Sequence, residues 1–556
     1  MNLFLEDPNL DFILEQYMDK EFMDWARQEL EEYGELCGGE IDERAAHTDR
    51  EGQPRLIKYD KMGNDVSYVW VNEGYKQTVR QTYDRGIVGY VHKPIPALGR
   101  KGSYLYSYAQ GYLLSQAEPG FYCPVTLTMA TAYLLDHYGD EMIREHYLPH
   151  VLSTGNTDLY EGATFLTERQ GGSDVGANET KAVQDGNGYR LYGEKYFASN
   201  AGTCGVAMVL ARTEGAKKGT KGLSLFLVPW KEQGQTAEGI SIRRLKDKLG
   251  VRAVPSAEVE FEGARAYMVG EPEKGIYYMM EALNLSRICN AVASLGIMQR
   301  AYLEAHQYAY ERFTFGRYLK DFPMVQDTLT KLKAKQEVEL SSVFRLVHLF
   351  DEWVQHKEGV SKEDVVFQRL LIAILKKESA EQAIHFCHES IEMHGGNGYI
   401  EDFVMARLLR DAQVLTVWEG TANILGLEVL KLIRNFQVDH IFLRRMHSSV
   451  HDLSKAFPKE TTLLKEKLKQ LEEDLNKVKQ LDEEQQTFYA KAVADKMCAM
   501  FESVVALEDA NKGGDRKYAV AKVFLHNTWK QEDFDGELLT LRYFEQIVER
   551  KIHSPI

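Results

Sequence analysis

Between residues 158 and about 270 the chain changes texture, and that change limits its architecture more than any other feature. Short runs that alternate apolar and polar residues follow one another there: GYRLYGEKYFAS, VAMVLARTE, GLSLFLVPW, GISIRRL and SAEVEFEGARAYMVG, with Gly, Asn and Asp between them. Side chains two apart share one face of a strand, so this block reads as an all-β domain. On either side the apolar residues recur every three and four positions. DFILEQYMDKEFMDWARQELEEYG and TLTMATAYLLDHYGDEMIREHYLPHVL precede the block, and GIYYMMEALNLSRICNAVASLGIMQRAYLEAHQYAYERF follows it. These segments predict amphipathic helices, with more over 325–357 and 364–394 and an interruption at 54–92 that holds a short hairpin or loop. The resulting domains are 1–157 (mainly helical), 158–272 (β), 273–436 (helical bundle) and 437–556 (helical extension).

A length of 556 residues suits three to four domains of the usual ~150 residues. Hydrophobic residues at 44% and charged residues at 27% exclude collagen-like, disordered and membrane-embedded chains. A net charge of −16 opposes a phosphate backbone, so nucleic acid is disfavoured as a partner. The six cysteines are dispersed and form no C-x-x-C pair, which points to a reduced compartment, the cytoplasm. The start, MNLFLEDPNLDFILEQ, resembles neither a secretory signal nor a transit peptide, and no apolar run approaches the ~20 residues of a membrane span. In the extension, Leu464, Leu468, Leu471, Leu475 and Val478 follow a four-three spacing. That stripe suits either a helix packed on its own domain or one that faces a partner and shapes the oligomer.

Generic signatures fail. No Gly-rich segment supplies a Rossmann or P-loop pattern, and no G-x-S-x-G is present. His385, His388 and His394 lie near Glu389 and Glu392 but complete no known ligand spacing, so no metal is assigned. Four segments at element ends carry more information. FLTERQGGSDV (165–175) joins hydroxyls to small residues that permit close backbone approach. YFASN (196–200) sets an aromatic before a hydroxyl and an amide, and ERFTFGRYL (311–319) ends a long helix with a cation beside aromatics. The last, HGGNGYIEDFVMARLLRDAQVLTVWEGTANI (394–424), places a carboxylate between Trp418 and Gly420, an apolar setting that favours a raised pKa. Each segment taken alone also reads as a turn, core or helix end.

In this order and with this layout, the four segments resemble the acyl-CoA dehydrogenase family over roughly residues 60–435. TERQGGSDV in place of the commoner TEPGAGSDV, together with KYDKMGNDV at 58–66, resembles the branch of long members that contains the bacterial adaptive-response alkylation protein. The resemblance implies an α+β multi-domain fold: an N-terminal helical domain, a central β-barrel or sandwich, a C-terminal four-helix bundle and a helical extension. It implies FAD between the β domain and the helical bundle, in a homodimer or homotetramer whose subunits share each site.

On the matching positions, Thr167, Gly172 and Ser173 would contact the flavin and its diphosphate, Phe197 would cover the ring, and Ser199 would bond near N5. Arg312 and Thr314 would reach the diphosphate of the partner's FAD. Glu392, Gly395, Gly396 and Asn397 would line the adenine side, with Thr421 and Asn423 nearby. Pro323 and Glu392 stand where many members have Gln, and Gln326 is the nearest substitute for the first. Arg287 matches an arginine near the acyl-CoA site, its plain alternative being a surface or ion-paired arginine.

Desaturation of a thioester needs a base at one carbon and a hydride acceptor at the next. The resemblance makes Glu419 the base, with its own backbone N–H and a flavin ribityl hydroxyl polarising the carbonyl. LNLSRICNA (283–291), where some branches carry the base, has no carboxylate. The expected activity is acyl-CoA dehydrogenation in fatty-acid β-oxidation, with electron-transfer flavoprotein as partner. Two alternatives share the fold: an acyl-CoA oxidase, and a stress-response flavoprotein that binds DNA through the basic run KLIRNFQVDHIFLRR (431–445).

Overall fold

The computed structural model describes residues 1–232, 234–355, 359–529 and 536–549. The chain divides into two compact units, one of Met1–Glu6 with Asp24–Cys289 and one of Asp7–Met23 with Asn290–Ile556.

In the first unit, helices Tyr104–Ala117 and Pro119–Tyr138 are apolar nearly all round, and the unit buries them almost completely. Pro119 starts the second helix where a missing N–H costs nothing, and Glu118 caps it by accepting from Gly120 N–H at 3.1 Å. The interruption near residue 60 is a hairpin, Arg55–Tyr59 with Asp65–Trp70. The alternating block forms a seven-stranded sheet in the order Ile240–Leu245, Ser256–Val269, Gly188–Ser199, Lys181–Asp185, Val206–Thr213, Gly162–Phe165. Strand Leu223–Pro229 pairs with both Val206–Thr213 and Ser256–Val269, so five of the strands close into a ring, a small barrel. Its interior holds Leu191, Val209, Phe226, Val259 and their neighbours, all buried.

The second unit is helical. Its long members are Pro323–Gln355, Lys362–His394 and Glu483–Trp529, the second opened by a Ser361/Asp364 capping box. Helix Pro8–Tyr17 belongs to this unit because Asn9 meets Lys517 and donates to the Glu337 carbonyl at 3.2 Å. Glu337 also takes Arg516 Nη1 at 3.0 Å and Lys517 Nζ at 3.1 Å. Burial pushes the Glu337 carboxyl up, but the cations around it win and hold it well below the usual carboxylate range.

The leucine stripe takes the first of its two readings. On helix Pro458–Gln480, Leu464, Leu468, Leu471 and Leu475 are buried against Val438–Leu453 and Glu483–Trp529 of the same chain, and Val478 is half-buried. The four-three spacing serves an intrachain seam, so it offers no apolar face to a partner. Among the described residues no helix is long and apolar enough to cross a membrane.

Candidate functional site

The first unit joins two of the four segments. Strand Gly162–Phe165 runs into the FLTERQGGSDV loop, and the Thr167 carbonyl accepts from Tyr196 N–H at 2.9 Å. That bond sets Thr167 beside the strand that carries Phe197 and Ser199. A buried ion pair fixes the junction. Lys195 Nζ, fully buried, lies 2.7 Å from Glu168 Oε1 and donates to the Leu210 carbonyl at 3.0 Å. Glu168 also accepts from Thr180 Oγ1 and Glu179 N–H, each at 2.6 Å. Burial raises the Glu168 carboxyl, yet the Lys195 charge and these donors outweigh it and hold it below its ordinary value. Burial lowers the Lys195 ammonium despite its partner.

Above this anchor the loop is open. Gly172 and Ser173 are exposed and Thr167 is half-buried. A Cβ on Gly172 would come within 2.6 Å of Thr167 Oγ1, so only glycine leaves that hydroxyl uncovered. Phe197 stands 54% exposed at its strand end. Lys246 Nζ sits 3.3 Å from the Tyr196 ring centroid and 4.6 Å from that of Phe197. Ser199 is half-buried and bonds Ser256 Oγ at 3.2 Å. Arg287 is buried, with Nη1 3.4 Å from Asn284 Oδ1, which removes the surface-arginine alternative.

The second unit joins the other two. Helix Gly275–Glu311 ends at an exposed Arg312, followed by a tight hairpin of Phe313–Thr314 and Arg317–Tyr318. Its two turn residues, Phe315 and Gly316, have φ of 50° and 81°, the left-handed pair a type I′ turn requires. Tyr308, one turn before Arg312, accepts from Asn397 Nδ2 at 3.2 Å, and its ring lies tilted against that of His394 with centroids 4.3 Å apart. The cation and the Gly-rich turn are thereby neighbours. Gly395 and Gly396 are exposed and have open space where a Cβ would project. Thr314 is half-buried and Glu392 exposed. Gln326 donates to the Lys320 carbonyl at 3.1 Å, so its amide is already engaged. His388, Glu389 and Glu392 bring ligand atoms within 4.8 Å of one another on a largely exposed helix face.

Glu419 lies between helices Met405–Leu415 and Ala422–Phe436 and is half-buried, like Trp418. Its φ is 60°, and that of Gly420 is 106°. A non-glycine residue in the left-handed region is strained and persists only where its surroundings hold it. Upstream, Val417 and Trp418 donate N–H to the Val414 carbonyl at 2.8 and 3.0 Å. Downstream, the buried Lys376 of helix Lys362–His394 donates to the Gly420 carbonyl at 2.7 Å. Thr421 caps the next helix without a side-chain bond to it, and both Thr421 and Asn423 are exposed. On helix Met405–Leu415, Arg410 is paired with Glu401.

Sequence reasoning passed over Glu168, Lys195, Tyr308 and Lys376. Lys195 did leave a signal. It shares a strand face with the buried Leu191, and an inward lysine in a strand demands a buried partner. Lys376 follows the apolar run LLIAIL on its helix and left no comparable mark.

Three family domains match in order: the N-terminal domain of adaptive response protein AidB over 1–156, the acyl-CoA dehydrogenase middle domain over 163–264 and its C-terminal domain over 273–433. The fold is that of the acyl-CoA dehydrogenases. Acyl-CoA dehydrogenase family member 11 of Caenorhabditis elegans is 32% identical over 443 residues, covering 78% of this chain and 70% of that protein. The crystal structure of C. elegans ACDH-11 in complex with C11-CoA aligns over 100% of this chain and 96% of its own, with a TM-score of 0.87 and 26% identity. An acyl-CoA dehydrogenase of Bacillus anthracis complexed with FAD has the same fold, with a TM-score of 0.73 at 19% identity over 97% of this chain and 93% of its own. The chain belongs to the acyl-CoA dehydrogenase family. It is an FAD-dependent dehydrogenase.

Proposed function

We propose that the chain desaturates an acyl-CoA thioester between its α and β carbons, that Glu419 removes the α-proton, and that the reaction serves fatty-acid β-oxidation in the cytoplasm. The observation that carries this reading is the strained, doubly anchored turn that presents Glu419. Strain of this kind is kept where a side chain must be aimed. The C11-CoA bound by the C. elegans relative supports an acyl-CoA substrate.

The exposed chemistry fits FAD. An apolar ring at Phe197, the uncovered Thr167 hydroxyl with Gly172 and Ser173, and an exposed cation at Arg312 suit an isoalloxazine and a diphosphate. Phe197 and Ser199 would hold the ring, while Thr167, Gly172 and Ser173 would serve its chain. Arg312 and Thr314 would serve the diphosphate of a partner subunit's FAD in a homodimer or homotetramer. Glu392, Gly395, Gly396, Asn397, Thr421 and Asn423 would border the adenine end, and Arg287 the acyl-CoA. Bound FAD supplies the hydride acceptor, and electron-transfer flavoprotein would reoxidise it. Glu419 takes the proton onto its carboxylate while its backbone N–H steadies the thioester oxygen.

The basic run that the DNA-binding alternative would use is partly neutralised by neighbouring carboxylates. Arg434 faces Glu483 at 3.3 Å, Arg445 faces Asp364 at 2.5 Å, and Arg444 is paired with Glu363.

Glu419→Gln tests the proposal. The variant should keep its flavin and its melting temperature, yet lose anaerobic flavin bleaching by acyl-CoA by at least the ~10²–10⁴-fold expected of a general base. Bleaching at the parent rate would remove Glu419 from the mechanism.

A further inference from the structure

We infer that Lys376 is a positioning residue for the reaction: its buried ammonium pins the Gly420 carbonyl and so aims the Glu419 carboxylate. The inference rests on Glu419 being the base. Lys376 is 1% exposed, near the middle of helix Lys362–His394, and its Nζ reaches the Gly420 carbonyl at 2.7 Å. Burying an ammonium is expensive, and a neutral side chain of similar shape would fill the same space more favourably. At this depth one thing the charge does is hold the Gly420 carbonyl.

The turn itself shows what that hold achieves. Glu419 and Gly420 are consecutive residues with positive φ, at 60° and 106°. For glutamate such a backbone conformation is strained, and a turn with nothing to hold it would relax out of it. Two clamps prevent this. The Val417 and Trp418 amides hold the upstream side to Val414, at the end of helix Met405–Leu415. On the downstream side, helix Ala422–Phe436 is tied back by Leu425 N–H to the Thr421 carbonyl at 3.0 Å, a bond that leaves Gly420 itself outside the helix. The Lys376 bond closes that gap. Because it is charge-assisted, it is roughly twice as strong as a neutral bond to the same oxygen. Proton transfer from carbon is steeply sensitive to the position of the base, and a misplacement of about 1 Å lowers rate by ~10²-fold without weakening substrate binding. Lys376 accordingly acts on the chemical step and hardly on affinity.

Lys376→Met and Lys376→Gln decide the matter in the full-length, FAD-loaded protein, with Glu419→Gln alongside. Met keeps the length and apolar stem and removes the donor. Gln keeps a neutral donor. Flavin content, melting temperature and the rate and apparent Kd of anaerobic bleaching are read with butyryl-, octanoyl- and palmitoyl-CoA. A non-catalytic readout is amide hydrogen exchange at residues 417–421.

Lys376→Met should bleach at least ~10-fold more slowly at saturating acyl-CoA, with its apparent Kd within about threefold of the parent and faster exchange confined to the turn. Lys376→Gln should recover much of the rate. Bleaching of Lys376→Met at the parent rate would overturn the inference. So would a loss of flavin and melting temperature by both variants in proportion to their loss of rate, because Lys376 would then be structural. Should Lys376→Met fail to fold, Lys376→Leu, which also lacks the donor, takes its place: a slowed rate with parental flavin content and Kd supports positioning, and a parental rate with altered exchange refutes it. Glu419→Gln separates the two readings. If it is inert while Lys376→Met is unimpaired, only the role of Lys376 falls. If it bleaches like the parent, the base assignment falls and this inference with it.

Discussion

Glu161 should make the stability of this protein fall as pH rises toward neutrality. The residue precedes strand Gly162–Phe165, is 7% exposed, and its Oε1 accepts from the Tyr83 hydroxyl at 3.1 Å. Burial pushes its carboxyl up to about 7, with the Tyr83 bond and the Lys231 charge pulling part of the way back. From the ordinary value of 4.5 to about 7, the folded chain holds a proton that the unfolded chain has released. Stability is therefore fully present below pH ~4.5 and lost as pH rises through about 7. At 1.36 kcal/mol for each unit, the span of about 2.5 units amounts to about 3 kcal/mol. Glu161→Gln keeps the shape and an acceptor for Tyr83 but cannot ionise. Melting curves of both proteins from about pH 5 to about pH 8 test this, since the difference between them cancels titrations they share. The variant should gain on the parent steadily, by several degrees at the upper end. Parallel curves would refute the reasoning.

Lys195→Met should destabilise by ~3–5 kcal/mol and lower flavin content, because it strands the Glu168 charge in the interior; guanidinium unfolding and the flavin-to-protein absorbance ratio measure the two effects. Arg312→Ala should lower FAD occupancy while leaving the fold intact, and unchanged flavin in a folded variant would count against a diphosphate contact there. Leu468→Ala should cost about 2–5 kcal/mol in denaturant unfolding, as expected of a core leucine; a loss below ~1 kcal/mol would show that the seam is loosely packed.

The broad fold was legible because periodicity reports local geometry. Alternation in GYRLYGEKYFAS and SAEVEFEGARAYMVG predicted strands, and the structure has them at Gly188–Ser199 and Ser256–Val269. Ring closure was not legible. It depends on Leu223–Pro229 meeting two strands at once, which no local pattern encodes. The leucine stripe was visible as a face, but a face does not name what covers it. The candidate site shows the same division. Turn-forming and hydroxyl residues marked the four segments, whereas the contacts that fix them, Lys195 to Glu168, Asn397 to Tyr308 and Lys376 to Gly420, join residues 27, 89 and 44 positions apart. Separations of that size are set by tertiary packing and leave little trace in a single sequence.

The closed strand ring also governs how this protein can be cut. Ser256–Val269 is the last strand of the ring to leave the ribosome, and it pairs with Ile240–Leu245, Gly188–Ser199 and Leu223–Pro229. Until it arrives, the strands made before it present bare peptide edges, and bare edges recruit other chains. Any fragment that stops short of residue 256 should accumulate as aggregate, and the nascent chain should depend on holdase chaperones while that stretch is being synthesised.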